Sequence, residues 1–415
     1  MKKLTDLISK TIADILKPNE LIFRLIERKL EERGITLTVE QKLQVRDELM
    51  RNNVTSFQID LSEEQEKRLA NSNSGRLVID LGSQDEINDL ESRIHKAIND
   101  STQKAIVLIS NSLLEGWKAQ APELLKEQSK ERLDHALLIE QIWAKPLDLL
   151  EILLSVSLEA GARFNEQHRS NAAKENDFVF EAITRLHARG CQVGAEALLL
   201  LRNGFADGAH ARWRTLHELS VEASFIFQNG NSVAELFLLH SQIYDYRLAE
   251  EYQKYYQVLG YAPPEQAHID SAKKTRDRLI NQYGDHFKYD YGWAAQVLKN
   301  KRPNFTHLEE FVGLKHLRPF YKLANINVHS GSMGASFRLG LPPDNNNILV
   351  AGHSIYGLSE PGQNIAFSFY LLTATLLLSR ENLDQVALVS ALDTLKYEIV
   401  WAFDEVMEEQ EKKDV

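Results

Sequence analysis

The sequence holds a single cysteine, Cys191, among its 415 residues. An internal disulfide is therefore excluded, as is any zinc site built on several cysteines, and the chemistry fits a reducing cytoplasm. Proline is scarce too, 10 in all, so long stretches are free to run as helix. No apolar run reaches the roughly 20 residues that a membrane-spanning helix needs. The most apolar ones, Leu149–Leu158 and Ile365–Ser379, read as buried helices. The opening MKKLTDLISKTIADILKPNE begins with two lysines, but Asp, Ser, Lys and Thr interrupt its apolar residues, unlike the continuous core of a signal peptide. Basic charge is also short. A net charge of −11 argues against a protein that coats nucleic acid, while leaving room for a small basic pocket. The expectation is a soluble cytoplasmic protein with no membrane partner.

What is present is mostly helical pattern. Apolar residues recur at helical spacing over Leu4–Leu16 until Pro18, and again over Glu20–Arg33 until Gly34. Thr38 precedes VEQKLQVRDELM and reads as a helix cap. Ser56–Leu61 and Arg76–Leu81 look like two short strands joined by the loop Asn71–Gly75. Helices then follow over Gln84–Ile98, from about Thr102 to Ser129, and from Glu131 to about His168, with breaks expected at Pro122 and Pro146. The polar stretch Arg169–Asn176 suggests a domain boundary. It divides the chain into residues 1–168, helical with a minor β element, and residues 169–415, all helical. In the second part a break is expected at Gly190. Gly260–Pro303 looks like an inserted segment, and Leu339–Asn347 like a loop.

The densest run of unusual residues is Leu198–Phe227, LLLLRNGFADGAHARWRTLHELSVEASFIF. On a helix, Asp207, His210, Arg214 and His217 share one face, beside an apolar face carrying Trp213, Leu216, Ser220, Ala223 and Phe227. Buried charge is expensive unless paired. The stripe therefore either faces a polar cavity or joins an internal ion network, and Arg214–Glu218 at four residues apart is itself a common helix ion pair. A second polar cluster, Tyr321, Asn325, Asn327, His329 and Ser330, lies on a later helix that ends in VHSGSMG. His329 there is placed to meet His217. Asp207, His210, His217 and His329 could in principle ligate a metal, but no HExxH spacing supports it, and no metal or cofactor is expected. GFADG lacks a phosphate-loop lysine, and HSGSMGAS lacks a nucleophile elbow.

LLRNGFADGAHARWRTLHEL, YGWAA at Tyr291–Ala295 and YKLANINVHSG at Tyr321–Gly331 together resemble a bacterial family of unknown function, over roughly Phe178–Leu378. The run from Arg212 to His217 also resembles the arginine–four residues–histidine pattern of HEPN ribonucleases. That second resemblance implies a small all-α domain that dimerises and cuts RNA without metal, an arginine holding phosphate and a histidine moving protons. On an ideal helix Arg212 and His217 stand about 140° apart, whereas Arg214 is nearly aligned with His217. The residues carried over are Arg212 and Arg214 on phosphate, His217 as acid or base, and Glu218 and His329 as orienting groups. His210, Tyr321 and Asn325 would touch substrate. The expected protein is a mainly α, HEPN-like endoribonuclease, a toxin or phage-defence effector working as a homo-oligomer on RNA. The alternative is a non-catalytic helical sensor or scaffold whose Arg/His/Glu network is structural.

Overall fold

A computed structural model describes residues 18–51, 59, 61–69, 84–329, 331–342, 350–380 and 382–414. The described residues are helical with no strand, so the fold is mainly α. The expected helix over Leu4–Leu16 and the strand over Arg76–Leu81 lie outside the described residues. So does Ser56–Leu61 apart from Ile59 and Leu61, neither of which is in a strand. The chain divides into two compact units, residues 1–124 and 125–415.

In the first unit, α1 (Pro18–Glu31) and α2 (Val39–Met50) bury Phe23, Ile26 and Leu30 against Ile35, Leu37 and Val45. Thr38 caps α2 as expected. Its hydroxyl accepts from the Gln41 amide, and the Gln41 side chain accepts from the Thr38 amide at 2.9 Å. Arg46 reaches back to Glu20 through two hydrogen bonds and lies 4.2 Å over the Phe23 ring. Gln65 on α3 (Glu63–Leu69) donates to the Thr36 carbonyl at 2.7 Å.

The next helix, α4 (Gln84–Glu175), runs through both prolines instead of breaking at them. Each proline removes one ladder bond. Around Pro122 the neighbours are Glu, Leu, Lys and Gln, all strong helix formers. At Pro146 packing supplies the compensation. Ile139, Trp143, Leu147, Leu150 and Leu153 are buried in the core of the second unit, and the Trp143 indole donates to the Ile355 carbonyl at 2.9 Å. The helix ends at Asn176, whose φ of 51° stops it, and Asp177 caps α5 by accepting from the Phe180 amide. Arg380 holds this junction through Asp177 at 2.6 Å and Glu175 at 2.8 Å.

The second unit is a helical bundle. Its centre is α5 (Phe178–Arg202), α6 (Ala206–Asn229) and α13 (Ser359–Leu378). The other main helices are α7 (Asn231–Tyr255), α8 (Gln266–Tyr283) and α14 (Leu383–Asp414). Short helices α9 (Ala295–Leu298), α10 (Phe305–Phe311), α11 (Arg318–Val328) and α12 (Ser332–Ser336) fill the stretch between α8 and α13. Gly190 does not interrupt α5; it is a point of close approach, where a Cβ would meet Leu372 of α13 at 2.3 Å. The 260–303 stretch joins the same core through Leu279, Phe287, Trp293 and Ala294.

Gly362 plays the corresponding part between α13 and α14. A Cβ there would fall 2.2 Å from the Phe403 ring, and Phe403 is fully buried and so has nowhere to go. Gly362→Ala is expected to lose about 1–3 kcal/mol by overpacking. Denaturant unfolding would measure it, and an unchanged midpoint would contradict this packing.

Candidate functional site

Helix α6 begins after a tight turn. Gly204 has a φ of +75°, and its carbonyl accepts from the Ser354 amide at 2.9 Å. Along the buried side of α6, three aromatic rings stack in sequence. His210 and Trp213 have centroids 5.1 Å apart, and Trp213 and His217 5.3 Å apart. Trp213 is core, and its indole donates to Ser368 Oγ on α13 at 2.9 Å. The two histidines flanking it each meet a glutamate from another helix.

His217 Nε2 lies 3.1 Å from Glu309 Oε1, and the two side chains are 1% and 0% exposed. The other Glu309 oxygen accepts from Arg318 Nη1 at 2.5 Å. His217 Nδ1 has no hydrogen-bond partner among the described residues. A ring that donates from Nε2 to the carboxylate therefore leaves Nδ1 as a bare acceptor. Phe305 and Tyr321 stand 5.7 and 6.0 Å from the ring and enclose it. His210 is fully buried, with Nε2 3.5 Å from Glu360 Oε1 at the start of α13. Both His210 ring nitrogens and that glutamate oxygen lack hydrogen-bond partners among the described residues. Burial holds the His210 ring down at about 4 and pushes the Glu360 carboxyl up.

The outer edge of α6 carries a different arrangement. Arg214 Nη2 is 2.8 Å from both Tyr321 Oη and Glu218 Oε1, and the Tyr321 hydroxyl also donates to Glu218. The guanidinium carbons of Arg214 and Arg318 lie 4.9 and 5.0 Å from the Tyr321 ring centroid. Burial, and then the adjacent Glu218 carboxylate, push the Tyr321 phenol up.

The expected site residues thus fall into separate places. Arg214, Glu218 and Tyr321 form one cluster, and His217 joins it through Glu309 and Arg318. Arg212 turns to α5, where Glu196 lies 2.6 Å away, so it does not share partners with His217. His329 sits exposed at the C-terminal end of α11, and the partner of His217 is Glu309 instead. Asn325 is half-buried with Oδ1 unpartnered, and Ser330 lies outside the described residues. Asp207 accepts from the Leu339 amide at 3.0 Å. No group of three or more potential metal ligands occurs among the described residues, nor does any helix there have the length and apolarity to cross a membrane.

Sequence reasoning missed Glu309, Arg318 and Glu222. Glu309 left a signal, since it falls on the apolar face of α10 with Phe305 and Leu308, where an acid is out of place. Glu222 continues the Arg214–Glu218 spacing by one more turn.

The comparisons with known proteins bear on this stretch. Residues 180–347 match the model of DUF5677, a family of unknown function. No curated protein and no solved structure matches the chain. The DUF5677 region contains α6, α10 and α11, and with them both arginines, His217, Glu218, Glu309 and Tyr321. Glu360, the neighbour of His210, falls outside it.

Protonation links this region to stability. His187, hydrogen-bonded to Thr373 at 3.2 Å, is held at about 4 by burial, as His210 is, below their ordinary 6.5. Between those values the unfolded chain takes up protons that the buried rings refuse, so stability falls as pH drops from 6.5 to about 4. Glu222 acts in the opposite sense. Burial, and then Glu218, push it up to about 8 from 4.5, so it keeps a proton that the unfolded chain has lost. Its contribution therefore declines as pH rises through that window. Denaturant unfolding at a series of pH values should show a flatter acid limb in His187→Gln/His210→Gln and a flatter alkaline limb in Glu222→Gln. Limbs parallel to wild type would refute these assignments.

Proposed function

We propose that the second unit is a metal-independent endoribonuclease in which His217 moves the proton and Arg214 holds the phosphate. One observation carries this reading: Glu309 fixes the His217 ring from one side and leaves Nδ1 as a free acceptor. An imidazole oriented by a carboxylate is the arrangement that general-base chemistry uses. RNA brings its own nucleophile, the 2′-hydroxyl, so His217 need only accept its proton while Arg214 faces the phosphate. The role shared by two arginines in the HEPN resemblance falls to Arg214, because Arg212 is engaged with Glu196. Glu218 and Tyr321 position Arg214. Tyr321 must swing aside to admit substrate to the enclosed ring. On this reading the protein is a cytoplasmic toxin or phage-defence effector, working as a homodimer.

The test is incubation of total cellular RNA with purified protein in EDTA. Wild type should give discrete cleavage. His217→Asn should lose about 10²–10⁴-fold in rate, the usual span for a proton-transfer group, with its helical circular dichroism retained. Intact RNA with wild type, or undiminished cutting by the folded variant, would reject the nuclease.

A second reading, a non-catalytic sensor or scaffold, is favoured by the enclosure of His217 and Glu309 and by the pairing of Arg214, Arg318 and Arg212 with carboxylates. Under it, wild type leaves RNA intact, and the network shows itself in stability alone. Glu309→Ala, which strands His217 and Arg318, should then cost about 3–5 kcal/mol, the range for breaking a buried pair, read from denaturant unfolding. A change below about 1 kcal/mol, the worth of a surface ion pair, would remove that role.

A further inference from the structure

Beyond the histidines, the DUF5677 region holds a cavity of about 280 Å³ between α6, α7 and the turn that follows α8. Glu222, Tyr244, Asp290, Tyr291, Phe237 and Trp293 line it. Its size is just below the range for drug-sized ligands, so an occupant would be small. Phe237 and Trp293 meet edge to face, with centroids 5.1 Å apart, and make an apolar wall. Three acids lie on or beside the cavity. Asp290 is matched by Arg247 at 2.6 Å, and Glu218 by Arg214 at 2.8 Å. Among the described residues, no cation pairs with Glu222, and neither its carboxyl nor the Tyr291 hydroxyl has a hydrogen-bond partner. The Arg247 guanidinium does not reach it, being held by Asp290, by the Lys288 carbonyl and over the Tyr244 ring at 5.1 Å. The cavity is therefore one positive charge short of neutrality when Glu222 is ionised, with aromatic faces of the kind that attract cations.

We propose that this cavity binds a small organic cation, an ammonium on a compact apolar body, with Glu222 as its counter-ion and Tyr291, Trp293 and Phe237 as its walls. The proposal is independent of the nuclease reading, which makes no use of Glu222. Binding is coupled to proton release, because the carboxyl, at about 8, holds a proton at neutral pH. The other groups facing Glu222 do not confuse this titration. Burial raises the phenols of Tyr244, Tyr291 and Tyr321 and lowers His240, whose Nε2–H donates to the Phe287 and Tyr289 carbonyls. Glu218, Asp290 and Arg247 are in ion pairs.

The experiment is isothermal titration calorimetry of the full chain with cyclohexylammonium chloride, with cyclohexanol as the neutral isostere. The ammonium should bind and the alcohol should not. Affinity should rise about thirtyfold between about pH 6.5 and about pH 9, the change in the ionised fraction of a group titrating at about 8. Glu222→Gln, which removes a desolvated carboxyl and should keep or raise the Tm, is expected to abolish both binding and its pH dependence. Equal binding of the alcohol, no binding of the ammonium at either pH, or wild-type affinity in Glu222→Gln would each overturn the proposal.

Discussion

The Glu309 carboxylate is the constraint on which the site depends. It is wholly removed from solvent, and a bare carboxylate in such a place is untenable without partners on both oxygens. Those partners come from two different helices, His217 on α6 and Arg318 at the start of α11. Glu309 itself sits on a helix of only seven residues, which has little stability of its own. Its entry is fixed by a reciprocal cap, in which the Asn304 amide donates to His307 Nδ1 and the Asn304 side chain accepts from the His307 amide. A short helix is thus held by its cap and its buried ion pairs. In return it sets the distance between α6 and α11, and with it the approach of Tyr321 to Arg214.

Helix α6 serves two purposes with one set of residues. Trp213, Leu216 and Ala223 bury it against α5 and α13, and the histidines on either side of Trp213 extend that buried face into polar territory. One turn outward, Arg214, Glu218 and Glu222 form a stripe of alternating need. Arg214 satisfies Glu218, and among the described residues no cation satisfies Glu222. The raised affinity of Glu222 for a proton and the charge deficit of the adjoining cavity express the same electrostatics. A half-buried carboxyl beside another carboxylate favours whichever positive species arrives first, a proton or a ligand.

Much of this architecture was legible in the residues. The helical period located most helices, Thr38 announced its cap, and Asp177 stood where α5 begins. The errors share a physical cause. Pro122, Pro146 and Gly190 read as breaks because local propensity forbids them, and they are not breaks because packing outweighs propensity, most plainly where Gly190 admits Leu372. The polar stripe on α6 was equally visible, but its partners were not. Glu309 lies 92 residues from His217 and Tyr321 lies 103 from Glu218, and no local pattern links such positions. Arg212 and Arg214 are equivalent as residue types, and only the direction each faces, toward α5 or toward α11, separates a neutralised cation from a member of the cluster.

That separation also sets the terms on which an anionic substrate could enter. Arg212, Arg214 and Arg318 each already hold a carboxylate, and the chain as a whole is acidic. Long-range attraction therefore does little to draw a phosphate here. On the proposed nuclease reading, entry would instead proceed by exchange, with Arg214 giving up Glu218 for the phosphate. Such an exchange normally fails because it strands the released carboxylate. Here it would not, because the Tyr321 hydroxyl already donates to the same Glu218 oxygen that Arg214 holds. A phenol whose ionisation is suppressed by burial remains a donor at any physiological pH. Glu218 keeps that partner when Arg214 leaves, provided its movement follows the ring. On that reading Tyr321 is both the wall that closes off His217 and the residue that keeps Glu218 partnered when the wall opens, so the two motions would occur together.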